Sequence, residues 1–236
     1  MLLSVIVPCC EEEAAAGRFE EELFPALDAL GVPYQVVAVD DGSYDGTGTV
    51  LRNLAGQRRD FKAVAHDYNR GLGAALGLAF ASAGGDWIAT LDADLTFHPS
   101  QLKALLDCQG ATGADMVCGS PFLSAAGAAQ VPWRRRGPSF LINALYRRVC
   151  GPKLTAYTSM FRLYRAQVLR SLRLESTGFE INAEIAARFL AAGQAVAEVP
   201  VVLTVRREGR SKLSPLRELW RHARLLGRLA GEARAR

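Results

Sequence analysis

The alternation at the start of the chain constrains its fold more than any other feature. Apolar runs at Leu2–Val7, Gln35–Val39, Phe61–His66 and Trp87–Leu91 are separated by helical patterns at Phe19–Leu30, Thr47–Leu54 and Gly73–Ala83. Strands that are apolar throughout have no polar face to give to water. They must be covered on both sides, and crossover helices do this for a parallel sheet. The expected class is therefore α/β, a mostly parallel central sheet with helices on both faces. In such sheets ligands gather at the carboxyl ends of the strands.

Past Asp94 the rhythm changes. A helix is expected at Pro99–Leu106, a strand at Met116–Gly119, a Gly/Ala/Ser loop at Ser124–Gln130 and a helix over 139–150. A strand at Ser159–Tyr164 then leads into helices at Ala166–Leu172 and Ile181–Ala192, the second closed by Gly193. The β-rich run Ala197–Val205 contains Pro200, which suits an edge strand or a bulge. With 236 residues, half of them apolar, the chain can bury a sizeable core and is not a disordered polypeptide.

Cys9, Cys10, Cys108, Cys118 and Cys150 form no CxxC pair, and their odd number argues against a disulfide framework, so a reducing cytoplasm is expected. The apolar start Met1–Cys10 lacks a basic leader region and runs into Glu11, Glu12 and Glu13, unlike a secretory leader. The uncharged stretch Met116–Trp133 is interrupted by Gly119, Pro121, Gly127 and Pro132, and no transmembrane segment is expected.

The net charge of +4 conceals an uneven distribution. Residues 201–236 carry ten basic side chains against Glu208, Glu218 and Glu232. From Val131 to Lys153, six basic residues meet no carboxylate. Near the C-terminus Leu216, Leu219, Trp220, Ala223, Leu226 and Ala230 recur at helical spacing opposite Arg217, Arg221, Arg224 and Arg228. Such a helix suits an anionic membrane surface or packing on the domain. Nucleic acid is not an expected partner, because the basic residues are not interleaved with a stacking platform of aromatics.

Candidate chemistry lies at the strand ends. Asp40 and Asp41 close one apolar run, and Asp40 is the carboxylate placed to accept hydrogen bonds from a nucleotide's base or ribose; Ser43, Asp45 and Thr47 read equally as loop and cap residues. Asp92 and Asp94 end another run. Two residues apart on an extended chain they would point the same way, and paired carboxylates call for an oxygen-seeking cation such as Mg²⁺ or Mn²⁺. Gly71, Gly73 and Gly77 form GxGxxxG in the third strand–helix unit. That reads as close helix packing with Asn69 as helix cap, not as a dinucleotide fingerprint. His66, His98 and His222 show no ligand spacing and read as structural, and no GxSxG elbow supports a serine hydrolase.

Taken in order, VIVPCCEEE, VDDGSYDGT, NRGLGAALG, LDADLTFHP, DMVCGSPF, YTSMFRLYR, GFEINAE and EVPVVLTVRREGRSKL resemble the motifs of family 2 glycosyltransferases, most closely the dolichyl- or polyprenyl-phosphate mannose or glucose synthases. The resemblance implies a GT-A type nucleotide-diphospho-sugar transferase fold, an inverting hexosyl transfer, and Mg²⁺ or Mn²⁺ on Asp92 and Asp94. It implies Pro8, Cys10, Glu12, Ala38, Asp40, Asp92, Ala93 and Asp94 around the donor, with Arg206 and Lys212 closing over its phosphates. Arg134, Arg135, Arg136 and Arg162 become candidates for the acceptor phosphate. Cys10 and Glu11 stand where the family usually has Tyr-Asn, and Thr96 stands where the synthases have Gln.

Residues 1–213 are then a catalytic domain and 214–236 a basic amphipathic helix, with the chain peripheral on the cytoplasmic membrane face. The expected partners are a GDP- or UDP-sugar donor, a polyprenyl-phosphate acceptor and the membrane surface. Alternatives are a hydroxyl acceptor with Glu180 or Glu184 as base, and a non-catalytic, membrane-peripheral sugar-nucleotide-binding subunit. Oligomeric state is left open by the sequence.

Overall fold

The computed structural model describes residues 1–130, 133–203 and 215–234. Its strands are β1 (Leu3–Cys9), β2 (Tyr34–Asp41), β3 (Phe61–His66), β4 (Trp87–Thr90), β5 (Met116–Ser120), β6 (Arg162–Arg165) and β7 (Val196–Pro200). The helices are α1 (Glu13–Ala16), α2 (Phe24–Asp28, entered through a π turn), α3 (Thr47–Gln57), α4 (Leu72–Ser82), α5 (Leu102–Thr112), α6 (Ala125–Gln130), α7 (Trp133–Cys150), α8 (Ala166–Ser171), α9 (Ile181–Ala191) and α10 (Pro215–Arg234).

The strands form one sheet in the order β3-β2-β1-β4-β6-β5-β7. Only β6 runs against its neighbours, so the sheet is mixed but mostly parallel. Side chains alternate between the two covered faces along β1: Val5 and Val7 join the core beneath α2, α3 and α5, whereas Ile6 joins the core beneath α4, α9 and α10. Helices therefore cover both faces, as the apolar strands demanded. Pro200 ends β7, an edge strand, where its missing N–H costs no ladder bond.

Three local readings are corrected. The expected loop at Ser124–Gln130 is largely α6: its alanines are strong helix formers, and the Ser124 hydroxyl caps it by accepting the Gly127 N–H at 3.0 Å. The helix expected over 139–150 begins at Trp133 and runs through Pro138. Asn69 does not cap α4. Gly71 stands at that position with φ 93°, and the Asp41 carboxylate accepts the Arg70 and Gly71 N–H groups at 3.0 and 2.8 Å.

The GxGxxxG spacing has a steric cause. A β-carbon on Gly71 would lie 2.4 Å from the Thr177 carbonyl oxygen, and one on Gly73 would lie 2.1 Å from that of Ser176. These glycines admit the loop before α9, which the Gly73 N–H holds by a 2.8 Å bond to Thr177 O. Gly77 has open space around it. With Asp41 occupying the N–H groups of Arg70 and Gly71, the turn has another use than cradling a pyrophosphate.

The C-terminal helix packs on the domain. Leu225 and Leu229 are buried, His222 meets the Tyr146 hydroxyl of α7 at 2.8 Å, Arg228 reaches Glu184 at 2.7 Å, and Arg188 pairs with Glu232. Only part of the face expected to be apolar is docked: Leu226 packs against the core and Ala230 is half-buried, whereas Leu219, Trp220 and Ala223 remain exposed. Burial lowers the His222 pKa below the ordinary imidazole value, with Glu180 pulling weakly the other way. The unfolded chain therefore binds the proton more readily. The stability due to neutral His222 is complete above about pH 6.5 and lost as pH falls through the lower folded value. Thermal melting of the chain should accordingly decline between pH 7 and 5, and His222→Gln should flatten that slope.

Candidate active site

The carboxyl ends of β1, β2 and β4 open into a cleft of about 450 Å³. Register explains the assembly: Ile6 of β1 lies beside Thr90 of β4, so the residues just past Thr90 emerge level with Pro8. Pro8, Cys10 and Glu12 line the cleft from β1 and the loop after it, and Asp92, Ala93 and Asp94 line it from the loop after β4.

Asp92 and Asp94 do not lie on an extended strand. β4 stops at Thr90, and the Leu95 N–H bonds to Asp92 O at 3.0 Å, closing a tight turn that delivers both carboxylates to the cleft. Asp94 Oδ1 accepts the Thr96 N–H at 3.0 Å and its hydroxyl at 2.6 Å, which fixes its orientation. Leu95 completes the turn at φ 53°, and Glu11, between two cleft residues, has the same φ. Left-handed backbone at non-glycine residues costs of order 1–3 kcal/mol and persists where surrounding contacts enforce it. Asn tolerates this region better than Glu.

The first two loops are stitched together. The N–H groups of Glu11 and Glu12 donate to Ser43 Oγ and Thr47 Oγ1 at 2.9 and 2.8 Å, and Glu11 Oε1 accepts the Tyr44 N–H at 2.6 Å. Asp45 accepts the Thr47 N–H at 3.0 Å. Ser43, Asp45 and Thr47 thus act as loop and cap residues that hold the segment carrying Glu12.

Ala38 and Asp40 do not border the cleft. Ala38 is wholly enclosed in the sheet, and Asp40 is buried with Oδ1 accepting the Ser43 N–H at 2.9 Å. Asp41 does border it, and it also holds His66 Nδ1 at 2.7 Å across the β2–β3 pair. Arg162 is a correction. Its side chain is fully buried and donates to the carbonyls of Ala156, Tyr157 and Asn182, so it offers no guanidinium to an acceptor. The side chains of Arg134, Arg135 and Arg136, and all of Arg206 and Lys212, lie outside the described residues.

Sequence reasoning missed the wall that α10 supplies. Arg217 and Arg221 line the cleft with Gly178 and Phe179 from the loop before α9. Arg221 pairs with Glu218 at 3.0 Å, and a β-carbon on Gly178 would meet both Arg221 Nη1 and Glu180 Oε2. Glu180 itself is buried; Oε1 accepts the Gly178 N–H at 3.2 Å and Oε2 has no partner among the described residues. Glu184 is fully enclosed and engaged by Arg228 and by the N–H groups of Glu175 and Ser176.

The donor set suits a hard divalent ion. Asp92 and Asp94 offer carboxylate oxygens, and among the described residues no cluster of three or more His, Cys, Asp or Glu forms a complete protein cage. Mg²⁺ and Mn²⁺ sites of this kind are completed by waters and phosphate oxygens.

Comparison with known proteins places this arrangement. The chain is 33% identical over 215 residues to undecaprenyl-phosphate 4-deoxy-4-formamido-L-arabinose transferase of Edwardsiella ictaluri, covering 89% of this chain and 62% of that protein. It is 34% identical over 190 residues to polyprenol monophosphomannose synthase of Mycolicibacterium smegmatis, covering 76% and 70%. The chain thus spans about three fifths of the length of the arabinose transferase. Glucosyl-3-phosphoglycerate synthase of Mycobacterium tuberculosis, solved with Mn²⁺, UDP and phosphoglyceric acid, superimposes with a TM-score of 0.67 at 23% identity, over 97% of this chain and 78% of that one. S. aureus TarS 1–349, solved with UDP-GlcNAc, gives 0.63 at 19%, over 97% and 66%. At these identities the likeness is one of fold, and that fold is GT-A-like. Residues 4–173 match the family model described as Glycosyl transferase family 2, and the chain belongs to that family of glycosyltransferases.

Proposed function

We propose that the chain transfers a hexosyl group from a nucleotide-diphospho-sugar to a polyprenyl phosphate. One observation carries the reading: α10 brings Arg217 and Arg221 to the same cleft that Asp92 and Asp94 border. A site with a carboxylate pair and a cationic wall suits a reaction between two phosphate-bearing substrates. The names of the relatives at 33% and 34% identity, which carry undecaprenyl phosphate and polyprenol monophosphomannose, support it.

In this reading Pro8, Cys10, Glu12 and Ala93 hold the donor, and Asp92 and Asp94 hold Mg²⁺ or Mn²⁺. The metal supplies charge stabilisation for the departing diphosphate. Arg206 and Lys212 add cations on the donor phosphates, with Arg134, Arg135 and Arg136 candidates for the acceptor alongside Arg217 and Arg221. A phosphate-monoester oxygen bonds to the anomeric carbon as the bond to the diphosphate breaks, with inversion, and the nucleoside diphosphate leaves. Its second pKa is about 6, so at neutral pH the nucleophile is already ionised and needs no general base. Residues 1–213 form the catalytic unit and 214–236 supply the acceptor side, on the cytoplasmic membrane face. No described helix is long and apolar enough to cross a membrane.

A second reading has its own observation. Among the described residues Glu180 keeps a buried, unpartnered Oε2 next to Gly178 and Arg221 of the cleft wall, and an unpaired carboxylate there supports its candidacy as base for a hydroxyl acceptor. Glu184, the other candidate from the sequence, is held by Arg228. Two variants separate the readings. With polyprenyl phosphate as acceptor, Arg217→Ala should raise the acceptor KM about tenfold, the weight of one charge-assisted hydrogen bond, while Glu180→Gln keeps near-normal kcat. A fall in kcat of about 10²-fold or more in Glu180→Gln, with Arg217→Ala normal, would favour the hydroxyl reading. Donor binding without any turnover would favour a binding subunit.

A further inference from the structure

Two arginines line the cleft from α10, and their surroundings differ. Arg217 is exposed, whereas the Arg221 side chain is 18% exposed and meets carboxylates from two different elements. Glu218, one turn earlier on α10, takes Arg221 Nη1 at 3.0 Å. Glu180, the residue before α9, stands beside the same guanidinium. Gly178 marks the meeting point: a β-carbon there would lie 2.0 Å from Arg221 Nη1, 2.7 Å from Arg221 Cζ and 2.5 Å from Glu180 Oε2. Only a glycine lets the guanidinium lie across this loop. Its backbone is not left-handed, so the obstacle to alanine is these side-chain ends.

Glu180 is anchored by its other oxygen, which accepts the Gly178 N–H at 3.2 Å. Glu180 Oε2 and Glu218 Oε2 are buried and meet no hydrogen-bond donor among the described residues. A buried carboxylate oxygen without a donor is costly, and a neighbouring cation offsets that cost. Both carboxylates therefore pull on Arg221, one from α10 and one from the loop before α9. A guanidinium carries five N–H donors, so it can serve both and still present N–H groups to the cleft.

We infer that Gly178, Glu180 and Glu218 are positioning residues that fix the Arg221 guanidinium at the cleft wall before the acceptor arrives. The inference rests on the polyprenyl-phosphate reading, in which Arg221 meets the acceptor phosphate, and it gives Glu180 a task other than that of a base. An arginine free to move on a helix surface loses its rotamer freedom when it grips a phosphate, which weakens binding by about two- to tenfold. An arginine already fixed escapes that loss.

Steady-state kinetics of the full chain with a short polyprenyl phosphate test it. Arg221→Ala should raise the acceptor KM about tenfold with kcat near normal. Gly178→Ala should do nearly the same, because its methyl takes the place of the guanidinium, and Glu180→Gln should raise the KM about two- to tenfold. In an Arg221→Ala background neither substitution should add to the loss, since no guanidinium is left to displace. KM effects that multiply, to about a hundredfold in Gly178→Ala/Arg221→Ala, overturn the inference. So does an unchanged KM in Arg221→Ala, or a kcat loss of about 10²-fold in Glu180→Gln, the mark of a base. Should the Gly178 or Glu180 variant fail to fold, ¹⁵N relaxation of the Arg221 Nε–H in the wild-type chain decides, the signal being assigned by its absence in Arg221→Ala. An order parameter like that of rigid backbone is expected, and one below about 0.6 overturns the inference. That measurement needs no acceptor, which separates the two failures. A rigid Arg221 without transfer to lipid phosphate would keep the hold on Arg221 and remove the acceptor reading. A raised KM in Arg221→Ala, with Gly178→Ala and Glu180→Gln normal, would do the reverse.

Discussion

Replacing Asp92 by Asn should lower kcat by about 10³-fold at saturating donor and fixed Mn²⁺, with little change in melting temperature. The carboxylate is offered to the cleft by a turn closed by backbone atoms, Leu95 N–H to Asp92 O, so the amide keeps the turn while removing a charge. Electrostatic stabilisation of a leaving group in a partly dry site carries about 10²–10³ in rate per major donor, and loss of a metal ligand belongs at the upper end. Asp94→Asn should behave alike in rate but also soften the loop, because Asp94 Oδ1 holds Thr96 by two hydrogen bonds. A metal titration gives the sharper reading: Asp92→Asn should need far more Mn²⁺ for half-maximal rate. Full metal-dependent turnover in Asp92→Asn would remove Asp92 from the metal site.

Arg162→Leu should act on stability instead. The guanidinium lies fully buried and serves the carbonyls of Ala156, Tyr157 and Asn182, with Nε near Cys118 Sγ at 3.4 Å. Leucine fills part of the volume but removes the buried donors to Tyr157 O and Asn182 O and leaves Ala156 O only its longer contacts with Cys118 Sγ and the Ser159 N–H, at a cost of about 3–5 kcal/mol. For a chain of this size that lowers the melting temperature by roughly 10 °C. The folded fraction should keep its acceptor KM. An unchanged melting temperature with a raised acceptor KM would restore the role the sequence assigned to Arg162.

That reversal shows where the sequence was legible. Strands apolar on both faces announce themselves in one dimension, and β1 to β4, with α3 and α4 between them, fall within a few residues of expectation. The cleft residues Pro8, Cys10, Glu12, Asp92 and Asp94 follow, because strand ends of a parallel sheet share an edge. Arg162 misled because an arginine in a strand says nothing about which carbonyls will close over it. Arg217 and Arg221 were out of reach for a related reason: only the docking of α10 brings them to the cleft. The docked face itself reads as polar, with Arg228 and Glu232 flanking Leu225 and Leu229, since its charges find partners in Glu175, Glu184 and Arg188 across the interface. Matched charges between distant segments have no signature in spacing. Asp41 was similarly overshadowed by its neighbour, although its caps on Arg70 and Gly71 and its contact with His66 set the loop that meets α9.

The most direct test of the account is a product assay. The purified chain is incubated with Mg²⁺ or Mn²⁺, a panel of GDP- and UDP-sugars and a short polyprenyl phosphate, beside the matching polyprenol and soluble hydroxyl acceptors. Products are identified by mass. The account predicts one hexose added to the lipid phosphate with release of a nucleoside diphosphate, and no addition to the polyprenol. Transfer to hydroxyl acceptors alone, or none from any donor to the lipid phosphate, would contradict it.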